Sequence, residues 1–408
     1  MKHLLLVIIL LSPILMNAQR NTNYDESKVP KFELPSVLEK AKNTNDWEKG
    51  RRAEILAQFE SEVYGKTNLD GLETSFKVVQ THNDACDGMA TMKEVKCTLT
   101  KGGKSHSFDI IIFLPNSKPK APIFLGLNFY GNQSISDDKR ISLSQSWVPN
   151  KEAFNILDNK INDASRGTRA YRWPIKEIIE RGYGLANIYC GDLDPDFDDG
   201  FQNGVHSILG ETTMGTIGAW ALGLSKAMDY FEQDDAIDDR KVAILGHSRL
   251  GKAALWASAQ DERFAITFSN ESGCGGAALS KRAYGETVKV INTSFPHWFS
   301  SSFKAYNNNE ASLPVDQHQL LSLVAPRALY VASAEGDQWS DPRGEYLSLF
   351  YTNDVYQLYS KAPLTNDSPQ INVSRTSGPR GYHIRSGKHE VEPIDWNYFL
   401  DFADSQFN

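Results

Sequence analysis

The chain has 408 residues, of which 40% are hydrophobic and 11% aromatic, and its formal net charge is −8. That much apolar side chain can bury a large core, which excludes disorder for the bulk of the chain. The acidic balance argues against nucleic acid and anionic membrane as partners and suits a neutral or locally charged small substrate.

The N-terminus runs Met1-Lys2-His3, then LLLVIILLSPILM, and closes on Asn17-Ala18-Gln19. A basic start, an apolar core and a small residue at the cut predict a signal peptide over 1–18. Ser12-Pro13 interrupts the apolar run, which is short for a bilayer span, so a membrane anchor is not expected. Residues 19–408 are then expected to be a secreted or periplasmic catalytic domain, monomeric and free of membrane. Loss of Lys2 with the leader takes the net charge from −8 to −9. The four cysteines, Cys86, Cys97, Cys190 and Cys274, are even in number and sit in a chain expected to leave the reducing cytoplasm, so disulfides are permitted. Cys86 and Cys97 flank an apparent strand; a bridge across a hairpin and two separate buried thiols both fit. No CxxC pair and no His-x-x-x-His is present, so no metal and no cofactor is expected.

The stretch from Asn45 to Gly65, containing DWEKGRRAEILAQFESEVYG, carries apolar residues at helical spacing and ends on glycine, which predicts an early amphipathic helix. Segments near 74–80, 93–100 and 107–114 cluster β-branched and aromatic residues between turn residues and read as antiparallel strands. The pattern then changes to short apolar runs: 121–129, 184–189, 241–245, 264–269 and 327–334. Such runs suit a sheet buried on both faces. Helical patterns separate them. Between 214 and 231, Met214, Ile217, Ala221, Leu224, Met228 and Phe231 form one apolar stripe. Strand and helix in alternation predict an α/β protein with a mostly parallel central sheet between helical layers, with the early helix and the antiparallel strands preceding it. The stretch 280–320 lacks clear periodicity and is expected to be a decorated loop near a site.

The strongest local signal is KVAILGHSRLGKAALW, over 241–256. A buried strand runs into Gly246-His-Ser248-Arg-Leu-Gly251 and then a helix. This is a Gly-x-Ser-x-Gly-like elbow with one extra residue before the last glycine, and it points to Ser248 as a nucleophile. The helix N-terminus behind it offers free N–H groups to a tetrahedral oxyanion. The base in such a site comes late in the chain. His389, before an apparent helix from Pro393 to Phe402, fits that place, whereas His383 lies in an apparent strand and reads as packed. His247 and His297 come too early, and His247 is expected to shape the pocket. Two acids follow strands after the nucleophile: Glu271, opening Glu271-Ser-Gly-Cys-Gly-Gly276, and Asp337, in Glu335-Gly-Asp-Gln-Trp-Ser-Asp341. Either can orient the imidazole. Asp341, just before Pro342, reads as a helix N-cap. The run Asp192, Asp194, Asp196, Asp198, Asp199 lacks the glycine and glutamate of an EF-hand loop and is expected to shape a loop.

These residues resemble the glucuronoyl esterases, carbohydrate esterase family 15, in their bacterial form. The matching pieces are Gly246-His-Ser-Arg-Leu-Gly-Lys252, Glu271-Ser-Gly-Cys-Gly-Gly276, Arg282-Ala-Tyr-Gly-Glu286, Phe295-Pro-His-Trp-Phe299, Asp337-Gln-Trp-Ser-Asp-Pro342 and Gly387-Lys-His389. Further upstream, Gly191-Asp-Leu-Asp-Pro-Asp196 and Gly215-Thr-Ile-Gly-Ala-Trp220 also match. The resemblance implies an α/β-hydrolase three-layer sandwich and hydrolysis of the ester between 4-O-methyl-glucuronic acid branches of xylan and lignin alcohols. On it, Ser248 attacks the carbonyl, His389 shuttles the proton and Glu271 holds His389, with Asp337 assisting or replacing it. Arg249 would bind the oxyanion, and Lys252, Glu286 and Trp339 would contact the sugar. Lys281 stands where many bacterial relatives carry a second arginine, which puts contacts to the alcohol side in doubt. An acetyl-xylan or other carbohydrate carboxylesterase would use the same triad. A silent carbohydrate-binding relative is disfavoured by the intact Ser248, His389 and two acids.

Overall fold

The computed structural model describes residues 22–407; the expected signal peptide lies outside them. Ten strands make one sheet. They are β1 (Glu73–Ala85), β2 (Ala90–Lys101), β3 (Lys104–Pro115), β4 (Ala121–Asn128), β5 (Gly184–Tyr189), β6 (Ile237–His247), β7 (Ile266–Asn270), β8 (Ala328–Ala334), β9 (Arg375–Ser377) and β10 (Arg380–Arg385). Their order is β1-β2-β3-β5-β4-β6-β7-β8-β10-β9.

Strands β1, β2, β3 and β5 pair antiparallel, as do β10 and β9 at the far edge. From β5 through β4, β6, β7 and β8 to β10 every pairing is parallel. The parallel centre is apolar on both faces: every residue of β5, β7 and β8 is buried. The long antiparallel β1 alternates exposed and half-buried residues because only one of its faces meets the core.

Two helical layers cover the sheet. Helices α1 (Arg52–Phe59), α2 (Thr216–Phe231), α3 (Arg249–Gln260) and α4 (Pro342–Phe350) pack into the larger apolar cluster, and α5 (Pro393–Phe407) closes the other face through Trp396, Phe399 and Phe402. This is the expected α/β-hydrolase sandwich. The predicted early helix is present but not continuous. Wide π turns at Trp47–Arg51 and Glu60–Tyr64 bracket α1. The second of them sets Tyr64 against Trp256 of α3, stacked at 4.4 Å, with the Tyr64 hydroxyl donating to Gly275 O at 2.9 Å. The N-terminal segment is thereby fastened to the helix behind Ser248 and to the loop that follows Glu271.

The region expected to be a loop between 280 and 320 contains two short helices, Val288–Ser294 and Gln317–Ser322. The second starts in a reciprocal cap between Asp316 and Gln319, a local signal hidden by the lack of apolar periodicity. All four cysteines are free thiols. Cys97 is buried within β2, opposite Phe76 and Phe108, whereas Cys86 is half-buried in the β1–β2 turn.

Candidate active site

Strand β6 ends at His247, and α3 begins at Arg249. Ser248 joins them with φ 58° and ψ −131°, a conformation that non-glycine residues adopt at a cost. The turn survives because its surroundings over-determine it. The Ser248 N–H donates to Asn270 O at 2.9 Å, and helix and strand close up around Gly246, where a Cβ would sit 2.1 Å from Leu250 O. The result exposes the serine hydroxyl at the N-terminus of a 12-residue helix.

Three loops at the C-terminal ends of parallel strands converge on it. Glu271 follows β7, Asp337 follows β8, and His389 lies beyond β10. His389 Nδ1 is 2.7 Å from Asp337 Oδ2 and 3.1 Å from Glu271 Oε2. Both acids read from the sequence therefore reach the same imidazole nitrogen. Their surroundings differ. Glu271, 1% exposed, also takes Arg385 Nη2 at 2.7 Å and the Glu390 N–H at 3.2 Å. Burial pushes Glu271 up to about 7 despite its contacts with His389 and Arg385. Burial also works upward on Asp337, but the hydrogen bond and charge of His389 prevail and hold it below its ordinary value. For His389 burial works downward, and the two carboxylates overcome it and raise the imidazole to about 9.

Ser248, Arg249, His247 and His389 line one cleft of about 350 Å³ with Phe129, Tyr130, Phe154, Arg169 and Arg172. The His247 ring lies 4.5 Å from that of His389. Burial first, then the charge of His389, holds His247 far below the usual histidine range. It shapes the pocket as a neutral ring. His383, as expected, is packed away in β10, 2.7 Å from Asp395.

Arg249 bends back to Asp196 and lies over the Trp298 ring at 4.8 Å. Against the upward push of burial, Arg249, His297 and Trp298 together hold Asp196 well below the carboxylate range. Asp194 ties His206 at 2.8 Å and Thr216 at 2.6 Å, and Asp199 accepts from the backbone of Phe201 and Asn203. The acidic run therefore shapes a loop and supports Arg249.

Lys252 and Glu286 lie near each other and near Arg249, and Glu286 adjoins Trp339. Lys252 is buried on the first turns of α3 and donates to Ser272 O at 2.5 Å. Burial lowers Lys252 and raises Glu286, and each partly relieves the other. The Glu286 N–H donates to Trp339 O at 2.9 Å, and the adjoining Gly285 has φ 63° with no room for a Cβ, which would sit 2.4 Å from the same oxygen.

Lys281 does not face the cleft. Its ammonium is buried among the carbonyls of Glu310, Ala311 and Leu313, where it staples a loop. Asp341 caps α4 as expected through Gly344 N and also binds Arg282 at 2.8 Å, a pairing with no local sequence signal.

The model of the fungal glucuronyl esterase family matches residues 201–360. A carbohydrate esterase, MZ0003, from an unknown prokaryotic organism is 46% identical over 400 residues, covering 94% of this chain and 92% of that one. A promiscuous family 15 esterase from a marine bacterial metagenome, solved as a structure, superposes with a TM-score of 0.89 at 46% identity, covering 95% of this chain and all of the other. This chain belongs to the glucuronoyl esterases of carbohydrate esterase family 15. The glucuronoyl esterase of Solibacter usitatus gives a TM-score of 0.86 at 41% identity, over 94% of this chain and all of that one.

Within this glucuronoyl esterase, sequence reasoning passed over several residues of the site. Arg385 lies inside an apparent strand, and nothing local marks it as the group behind Glu271. Glu345 is buried under the Glu271 loop, accepting from Gly273 N at 2.9 Å and Ser333 Oγ at 2.6 Å, and burial pushes it up to about 8. Arg169 and Arg172 come from a segment without periodicity, so only the fold reveals that they face Ser248. Among the described residues, Glu271, Asp337 and His389 are the one group with ligand atoms close enough together to hold a metal, and they are already hydrogen-bonded to each other.

Proposed function

We propose that this enzyme hydrolyses esters of 4-O-methyl-glucuronic acid, as borne by glucuronoxylan and esterified to lignin alcohols, through an acyl-enzyme on Ser248. Ser248 Oγ attacks the uronate carbonyl while His389 takes its proton, and the negative oxygen that forms is met by the N-terminus of α3 and by Arg249. Collapse of the tetrahedral intermediate expels the alcohol, which receives the proton from His389. Water then attacks the acyl group, gives its proton to His389 and releases the uronic acid as Ser248 is reprotonated. Asp337 and Glu271 share the work of stabilising the imidazolium, and Lys252, Glu286 and Trp339 hold the sugar.

One observation carries this reading: a strained serine at a helix N-terminus shares a cleft with a histidine whose far nitrogen is held by two carboxylates. The leader-like N-terminus supports export to the periplasm or the medium, where the chain acts as a monomer without membrane attachment. No helix among the described residues is long and apolar enough to cross a membrane.

Kinetics on methyl and benzyl glucuronate, beside acetylated xylan and 4-nitrophenyl acetate, test the proposal. Uronate esters are expected to be preferred, and Ser248→Ala to remove the activity. Preference for acetate esters would return the enzyme to the general carbohydrate esterases, and unchanged hydrolysis by Ser248→Ala would overturn the mechanism.

A further inference from the structure

The wall of the Ser248 cleft formed by Arg169, Arg172 and Glu390 carries charge that the hydrolysis described above does not use. Arg169 is 7% exposed, with its guanidinium centre 4.6 Å from the Phe154 ring and 4.7 Å from that of Tyr171. Its Nη1 meets the Tyr171 hydroxyl, its Nη2 stands 3.5 Å from Glu390 Oε1, and its buried Nε has no hydrogen-bond partner. Arg172 reaches the same Glu390 oxygen more closely. That one carboxylate also accepts from the Tyr171 hydroxyl at 3.0 Å and from Val391 N at 2.9 Å.

Two guanidinium groups thus share a single, heavily engaged carboxylate, and Lys151 adds a third cation at the rim. The other charges lining the cleft are matched: Arg249 by Asp196, and His389 by Asp337 and Glu271. Burying surplus cation is costly unless an anion completes the set. A guanidinium packed against aromatic rings presents its donors as a planar fork, the geometry that suits a carboxylate.

Position decides which part of a substrate would meet this wall. Arg169, Arg172 and Glu390 line the same cleft as Ser248 and His389, whereas Lys252, Glu286 and Trp339 are not among its lining residues. With the acyl carbon on Ser248 and the sugar against those three, the alcohol half is the part left to meet the arginines. We propose that this flank is a subsite for a carboxylate carried by the alcohol half of the ester, with Arg169 and Arg172 as its ligands and Tyr130 and Phe154 as its aromatic walls. The proposal rests on the assignment of Ser248 and the sugar flank made above.

The test compares two esters of the same uronic acid, benzyl and 4-carboxybenzyl glucuronate. For the unaltered enzyme at low salt, kcat/KM is expected to favour the carboxylated ester by about five- to tenfold. This preference should shrink as added salt shortens the screening length. Arg169→Gln and Arg172→Gln are each expected to lower the ratio by at least about threefold, and Arg169→Lys by less, since it keeps the charge but loses the fork. Turnover of the benzyl ester with no preference for its carboxylated partner overturns this inference and leaves the uronate esterase standing. Failure to turn over either ester overturns both. The comparison within the unaltered enzyme decides the matter even if a variant fails to fold, and an unchanged ratio in well-folded variants overturns the assignment to these arginines.

Discussion

Arg385 Nη2 lies 2.7 Å from Glu271 Oε1, so one of the two carboxylates facing His389 is held from behind by a buried guanidinium. Arg385 also bonds Asp395 at 3.0 Å and the carbonyls of Lys388 and Glu390 at 2.9 and 2.6 Å. A single side chain thereby fixes the acid, the His389 loop and the start of α5.

Replacing it should be costly. Arg385→Met takes the guanidinium away from buried Glu271 and Asp395, leaving His389 and His383 as their remaining side-chain partners, and removing one partner of such a network typically costs ~3–5 kcal/mol. Denaturant unfolding should show a loss of that order, with the midpoint falling at an unchanged slope. A loss under about 1 kcal/mol would mean that the network relaxes and that Arg385 does not fix the site.

The two acids should separate by pH. Asp337 and Glu271 favour the charged imidazole and raise His389 to about 9. The histidine acts as base only when neutral, so kcat/KM should rise with pH to a midpoint above the ordinary histidine value. Asp337→Asn removes the closer carboxylate, lowers that pKa and moves the limb toward acid. Glu271→Ala should cost more turnover, because it also releases Arg385 and the Glu390 N–H. A limb that stays in place in Asp337→Asn would assign it to another group. Stability follows the same sign: a histidine raised above its unfolded value stabilises fully below about 6.5 and loses that contribution as the pH climbs through about 9.

Much of this was legible in the sequence, for physical reasons. The elbow could be read because a strand, a sharp turn and a helix are dictated locally by 241–256, where buried β-branched residues give way to Gly246 and then to helix formers. The meeting of His389 with both acids could be anticipated because each lies just past a strand of the parallel sheet. Reading 264–269 as strand likewise came within two residues of β7. What stayed hidden depends on tertiary contact. The choice between Glu271 and Asp337 cannot be settled by spacing, since both loops meet at one nitrogen. The role of Lys281 follows from carbonyls some thirty residues away. Arg169 and Arg172 sit in a segment ordered by Phe154, Tyr171 and Glu390, and no periodic signal marks such a segment.

On the proposed mechanism, the oxyanion side depends on how Arg249 is held. Asp196, His297 and Trp298 form its seat, with Trp298 Nε1 donating to Asp196 Oδ1 at 2.7 Å. Arg249→Ala should lower kcat by about 10²–10³, the usual cost of one oxyanion donor, with a smaller change in KM. Asp196→Asn keeps the shape but frees the guanidinium, and a fall of about tenfold is expected. The double variant should be no worse than Arg249→Ala alone, because the carboxylate acts through the arginine. Additive losses would show that Asp196 has a separate role.

Lys252 and Glu286 offer a way to tell binding from stability on the flank proposed to hold the sugar. Lys252 is buried and Glu286 half-buried; desolvation shifts each toward its neutral form, and each eases the other's charge. Lys252→Met should raise KM for glucuronate esters by about tenfold, with kcat changing less, since a contact to the sugar hydroxyls is made equally in ground and transition states. It should also destabilise the fold by ~1–3 kcal/mol by leaving Ser272 O without its donor and Glu286 without its cation. Adding Glu286→Gln removes the unpaired charge and should restore part of the stability while leaving KM high. Recovery of both in the double variant would show that the pair serves only to hold the loops together, and the sugar would then have to be recognised elsewhere.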